Sequence, residues 1–523
     1  MQLRNKMKDK ELLSNIEWEI LLEPIQIKDI SNSKYIKPHP EIIQITRDED
    51  YNLILNMSGK SARLYDVPPD RNLKLGQSYR GEFIEGWVVK DYPLSGKVEI
   101  SSAFQSGYLI QSNGNFESKG YTNSIRILPQ AYLSESSENY VAKPVVKVIE
   151  YCVSGPEVEI TSSVGVRTNY SASIDIKWEI EDSEKPDFWN YNSGSGHEGG
   201  SRSGLFFKTN MGEFLISNRA GDFFKKKHSP ISIHYLDAAR AQSKNYREKI
   251  LNIVSIIFGR SIFSVGVSFF DENHSLLEAT SYTFYSANLK KELTTVSWPS
   301  WYLVGISYES GYSENVACQL FDLLSDAYEK YNLKDVFIDY WIARAYPLGV
   351  DLVWYASALE GLVNKWFSQN KSQYPSSYVC SKEFNDLLKD VIQRVDSKAK
   401  GEIQWNKVKN SLLSSNSLGS RDKQLHFFKL HGLNISDVEI KAMQSRNKYA
   451  HGGNYSNSDF FKVKALSRAY MTLFHRALLA VIGYNGKYVD YSAEGFPLKD
   501  LSEALGGPDN DHRPFGDGSF HVK

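Results

Sequence analysis

From residue 1 to about 300, apolar residues come in short runs that alternate with polar ones and are divided by turn residues: EWEILLEPIQI, YNLILNM, GEFIEGWVV, KVEISSAF, VAKPVVKVIEYCV, SASIDIKWEIE, FSVGVSFF and TSYTFYSA. A period of two with β-branched and aromatic residues predicts strands. One stretch differs. LDAARAQSKNYREKILNIVSIIFG, from Leu236, has helical spacing and meets no breaker before Gly259. The region is therefore expected to be mostly β with at least one helix. Near residue 300 the period changes. VACQLFDLLSDAYEKYN, KDVFIDYWIARAY, LGVDLVWYASALEGLVNKWFS, SKEFNDLLKDVIQRVDSKAK, EIQWNKVKNSLL, DKQLHFFKL, SDVEIKAMQSRNKYAH and SDFFKVKALSRAYMTLFHRALLAVIGY all carry the 3.6-residue spacing of helices.

This texture predicts a multi-domain α+β chain: a β-rich amino-terminal region over 1–300, open to division into two subdomains, a linker over 301–313, and an all-α bundle over 314–483. Residues 484–523, with GGPDNDHRPFGDG, read as a loosely structured tail. Ser436 with Glu439 makes a capping box, and Ser458 is the expected N-cap of the last long helix. NSGSGHEGGSRSG, from Asn192 to Gly204, reads as a surface loop by its Gly/Ser density. No GK[ST] follows it to cradle a phosphate.

Composition narrows the class. A chain of 523 residues is too long for one core. Three cysteines, Cys152, Cys318 and Cys380, are far apart and form no ligand spacing, so neither a disulfide framework nor a structural zinc is expected, and no metal or cofactor is assigned. No run approaches the ~20 apolar residues of a membrane span, and no secretory signal opens the chain, so a cytoplasmic protein is expected. The formal net charge of −1 hides a local excess: residues 371–480 hold 18 Lys and Arg against 9 Asp and Glu. A polyanion would be drawn there.

In that region Arg446 and His451 stand five positions apart in MQSRNKYAHGG. The bare spacing carries little, since Arg421 to His426 repeats it and Arg468 to His475 comes close. Context separates the three. Arg468 and His475 lie seven apart inside an apolar helix and read as core; Arg421 and His426 read as surface. His451 runs into Gly452, Gly453 and Asn454, which end helices because they tolerate positive φ. An imidazole there can move protons near neutral pH, and a guanidinium matches phosphate oxygens. RNA carries its own nucleophile, the 2′-OH, so such a pair could deprotonate it, neutralise the phosphate and protonate the leaving 5′-oxygen without a metal.

R-N-K-Y-A-H before the last long amphipathic helix of a helical carboxy-terminal domain resembles the R-[polar]-x-x-x-H signature of HEPN domains. The β-rich region of about 300 residues ahead of it is similar to the ApeA-type branch of bacterial anti-phage proteins. This resemblance implies a HEPN domain over 314–483, a sensor or regulatory role for 1–300, and a metal-independent endoribonuclease that halts growth on infection. It implies a homodimer with two such elements facing one cleft, an RNA target such as tRNA, and a phage-derived trigger. By it, Arg446 binds the scissile phosphate, His451 is the acid/base group, Asn447 orients the pair, Lys448 contacts RNA, and Glu360 in ALEGL is the acidic residue near the arginine. The alternative is a non-catalytic HEPN-type module that dimerises or binds nucleotide or RNA, its β-rich domain docking a partner.

Overall fold

The computed structural model describes residues 24–31, 39–48, 52–60, 82–88, 96–110, 115–129, 144–154, 164–171, 174–179, 196–218, 229–272, 276–283, 302–305, 314–374, 377–399, 403–450 and 460–507. They fall into two units, Met1–Trp301 with Ile306–Asp322, and Tyr302–Gly305 with Leu323–Lys523. The division between Asp322 and Leu323 lies inside one helix, Glu314–Lys330.

The first unit is built on antiparallel strands. Seven of them are β1 (Ile25–Lys28), β2 (Ile42–Arg47), β3 (Leu53–Lys60), β4 (Glu82–Val88), β5 (Gly96–Ile110), β6 (Asn115–Thr122) and β7 (Ser124–Pro129). β1 pairs with β2, β2 with β3, β3 with β6, β6 with β5, β5 with β4, and β4 again with β1. Six strands thus close into a ring without a free edge. β5 makes closure possible: Gly96–Ser101 pairs with β7 and Phe104–Ile110 with β6. Alternate residues point inwards, as the period of two predicts. Ile25, Ile27, Ile43, Ile45, Leu53 and Leu55 are all fully buried in one cluster.

The same sheet continues beyond β7 through β8 (Lys147–Ser154), β9 (Val164–Ser171), β10 (Ile174–Glu179), β11 (Gly196–Thr209), β12 (Gly212–Asn218), β13 (Ser229–Tyr235), β14 (Ile262–Phe270) and β15 (Leu276–Tyr282), in the order β7-β15-β14-β8-β13-β12-β11-β9-β10. Residues 196–204, read above as part of a loop, are instead strand. They hydrogen-bond to β9 with a bulge between Glu198 and Ser201. Backbone pairing needs no side chain, so Gly/Ser content did not prevent it. The expected helix is α1 (Lys244–Ile257), capped by Ser243 and stopped at Gly259, whose φ is +60°. It lies on β14 and buries Ile250, Ile253, Val254 and Ile257.

The second unit holds the later part of α2 (Glu314–Lys330), then α3 (Leu333–Ala345), α4 (Asp351–Gln369), α5 (Ser381–Ala399), α6 (Ile403–Ser414), α7 (Ser420–Leu430), α8 (Asp437–Ala450) and α9 (Phe460–Val481). α4 is the hub, packed against α3, α7, α8 and α9. Ser458 lies outside the described residues. The capping box is half formed: Glu439 accepts the Ser436 N–H, but the Ser436 hydroxyl donates to the Leu505 carbonyl at 3.1 Å.

Two expectations are corrected here. α9 is amphipathic only in its first turns, where Phe460 and Lys462 are exposed; every residue from Ala469 to Ile482 is buried. Its outer side is covered by residues 484–507, expected to be loose, which form the hairpin of β16 (Lys487–Val489) and β17 (Leu498–Asp500) and bury Tyr488, Tyr491 and Leu505. Residues 508–523 lie outside the described ones. No helix among the described residues is long and apolar enough to cross a membrane.

Candidate functional site

Arg446 sits in the last turns of α8, half-exposed, and donates through Nη1 to Oε1 of Glu360 on α4. The two positions are 86 residues apart in sequence. α8 reaches α4 because Ala442 and Met443 are apolar and buried, which aims the next polar turn along the edge of the contact. The same Glu360 oxygen accepts the hydroxyl of Ser420, the first residue of α7. One carboxylate therefore ties together the ends of two helices.

Behind this pair lie Gln424 and Tyr470, at 2% and 1% exposure. They are hydrogen-bonded to each other, and burial together with the Glu360 charge pushes the Tyr470 hydroxyl well above its usual range. It stays a neutral hydrogen-bonding group. Nearby, Lys423 donates to Asn364 Oδ1 at 3.2 Å, one turn along α4 from Glu360. Ser420, Gln424 and Tyr470 were not picked out from the sequence. Ser420 and Gln424 share a helix face at i and i+4, but no spacing links them to Tyr470 on α9.

Asn447 and Lys448 fall in the last turn of α8, on the backbone directly after Arg446; their side chains are outside the described ones. α8 is described as far as Ala450, and His451 lies outside the described residues. The structure thus brings Arg446 and Glu360 together.

The rival pairs sort as their context predicted except at His426, which is half-buried and not on the open surface. His475 is fully buried, hydrogen-bonds the Tyr340 hydroxyl at 2.9 Å, and is held neutral by burial, its pKa lowered to about 3. Arg468 lies over the Phe496 ring at 5.4 Å. Arg421 is exposed on α7, while His426 stacks on Phe367 at 5.7 Å. Among the described residues no group of three or more His, Cys, Asp or Glu is placed to hold a metal ion.

No protein-family model, curated protein or solved structure matches the chain.

Proposed function

We propose that the chain is a metal-independent endoribonuclease of the HEPN type, acting in bacterial anti-phage defence, with Arg446 and His451 as its chemical pair. The observation that carries this reading is the contact of Glu360 with Arg446. It supplies the acidic partner that the HEPN resemblance expects beside the signature arginine, from a helix far away in sequence. The lysine-rich surroundings favour a polyanion.

In this mechanism Glu360 holds the guanidinium while its remaining N–H groups meet the scissile phosphate. His451 takes the proton from the 2′-OH or gives one to the leaving oxygen. The new bond joins the 2′-oxygen to phosphorus and the bond to the 5′-oxygen breaks, so the products are a 2′,3′-cyclic phosphate and a 5′-hydroxyl. Asn447 and Lys448 orient the RNA backbone. One chain supplies one such histidine, so a two-histidine scheme requires a second copy.

A second reading is a non-catalytic module. The observation favouring it is that Glu360 also binds Ser420, which makes the Arg446 contact look like a strut between α4, α7 and α8. Incubating the purified chain with mixed RNA in EDTA separates the two. Cyclic-phosphate ends that vanish in His451→Ala, with the circular dichroism spectrum unchanged, support the nuclease. Cleavage by His451→Ala at the parental rate overturns it.

A further inference from the structure

α7 lies along one edge of α4 in register. Ser420 donates to Glu360, Lys423 donates to Asn364 Oδ1 at 3.2 Å, and Phe427 meets the Trp366 ring at 5.3 Å, so successive turns of one helix meet successive turns of the other. Phe427 and Trp366 are buried and anchor this contact, while Ser420 and Asn364 are exposed and Lys423 is half-buried. Arg446 enters the same edge from α8 and shares Glu360 with Ser420. Two cations, Arg446 and Lys423, are thereby fastened to α4 at positions four residues apart. That step is about 6 Å along the helix axis.

Lys423 is held differently from other lysines of this unit. Lys365 pairs with Asp335 and Lys409 with Asp396, whereas Lys423 hydrogen-bonds a neutral amide and, among the described residues, is in no ion pair. Its charge is not compensated there. An ammonium has three donors, and Asn364 takes one of them. The neighbouring carboxylates are engaged elsewhere: Glu360 accepts from Arg446 and Ser420, and Asp422, next to Lys423 on α7, accepts from the Tyr378 hydroxyl. Lys423 is thus a positioned cation with donors to spare, one helical turn along α4 from the arginine.

That spacing selects what the two cations fit. Consecutive phosphates of a nucleic-acid strand are separated by a whole sugar, a span comparable with one helical turn. The phosphates of a nucleoside diphosphate share a single bridging oxygen and lie much closer together. A strand can therefore lay one phosphate on Arg446 and the next on Lys423, and a free nucleotide does not span the two.

We propose that Lys423, positioned by Asn364, is a second phosphate subsite that takes the backbone phosphate adjoining the one on Arg446, so that the ligand is an RNA strand with at least two consecutive phosphates. The proposal rests on Arg446 as the residue that holds the scissile phosphate, but its test reads binding and not cleavage. Binding of a labelled oligouridylate to the full chain carrying His451→Ala is measured over a range of potassium chloride concentrations. On a single strand each neutralised phosphate contributes about 0.7 to the slope of log K against log salt concentration. Adding Lys423→Met should lower the slope by about 0.7, adding Arg446→Met by about as much, and adding both by about twice that. Lys423→Arg should keep the slope. A lysine that serves only to pack α7 on α4 would lower the thermal midpoint and leave the slope alone. Absence of binding, an unchanged slope with Lys423→Met, or a double variant that loses no more than Arg446→Met alone would each overturn the proposal. Cleavage by the unmodified chain decides the nuclease reading separately. Cyclic-phosphate ends together with an unmoved slope keep that reading and remove this subsite; a lowered slope without such ends does the reverse.

Discussion

Arg476 on α9 and Glu439 on α8 form an ion pair in which neither side chain has any exposure. The same guanidinium donates to the carbonyls of Asn434 and Leu501 at 3.2 and 3.0 Å and lies over the Tyr488 ring at 5.2 Å. It therefore joins the last two helices to the segment that covers them. Removing one partner leaves a buried, uncompensated charge. Glu439→Ala should cost about 3–5 kcal/mol, read as a lower urea midpoint for the helical unit. The double variant Glu439→Leu/Arg476→Met should cost less than either single truncation; a larger cost would show that the backbone contacts of Arg476, and not the pairing, dominate.

Two buried groups give the helical unit a defined acid response. His475 has its pKa lowered from 6.5 to about 3, mainly by burial with Arg344 second. The unfolded chain takes up a proton that the folded chain refuses, so the contribution is full above about 6.5 and declines as pH falls to about 3. Asp351, raised from 3.8 to about 6 by burial, works the other way: its contribution is full below 3.8 and is lost as pH rises to about 6. Thermal melts across pH 3 to 7 should accordingly show His475→Gln losing less stability on acidification than the parent. Asp351→Asn should lose more between pH 6 and 4. Each effect is bounded by ~1.4 kcal/mol per pH unit.

Gly96 is the first residue of β5, paired with Pro129 of β7. A Cβ added there would sit 2.2 Å from the Leu128 carbonyl oxygen, which as backbone cannot swing aside. Gly96→Ala should destabilise the β unit by about 1–3 kcal/mol, measurable as earlier loss of strand signal on heating. A neutral substitution would mean that the pairing of β5 with β7 is looser than described.

The three cysteines should differ in reactivity. Cys380 is exposed, whereas Cys152 is fully buried, its thiol pushed well above the usual range by burial and by Glu150. Iodoacetamide with peptide mapping should label Cys380 in the native protein and Cys152 only after unfolding. Equal labelling of both would contradict the burial of β8.

For the nuclease reading, Arg446→Lys keeps the charge and loses the donor fork. Cleavage should fall about 10²-fold or more, while retention of salt-sensitive RNA binding would locate the loss in the chemical step. Parental cleavage by this variant would remove Arg446 from the mechanism.

What could be read in the chain depended on whether a residue's partner was close along it. The alternation in IQIK and LILNM marked β1 and β3 because each strand's pattern is its own. Gly259 marked the end of α1 for the same reason, although the helix begins at Lys244 and not at Leu236. β11 escaped because glycine and serine report loop and backbone-paired strand alike. The burial of α9 escaped because what covers it, Tyr488, Tyr491 and Leu505, is scattered among turn residues that carry no periodicity. At the site, Glu360 was named through resemblance alone; its contact with Arg446 spans 86 positions, and no local rule reaches that far. Gln424 and Tyr470 lay hidden for the same cause.

The closed ring of β1 to β6 has a further consequence. A cylinder of only six strands is too narrow for a lumen, and its axis is already filled by isoleucine and leucine side chains. Nothing can be swallowed by it. A molecule that binds this ring therefore has to be met on its outside wall.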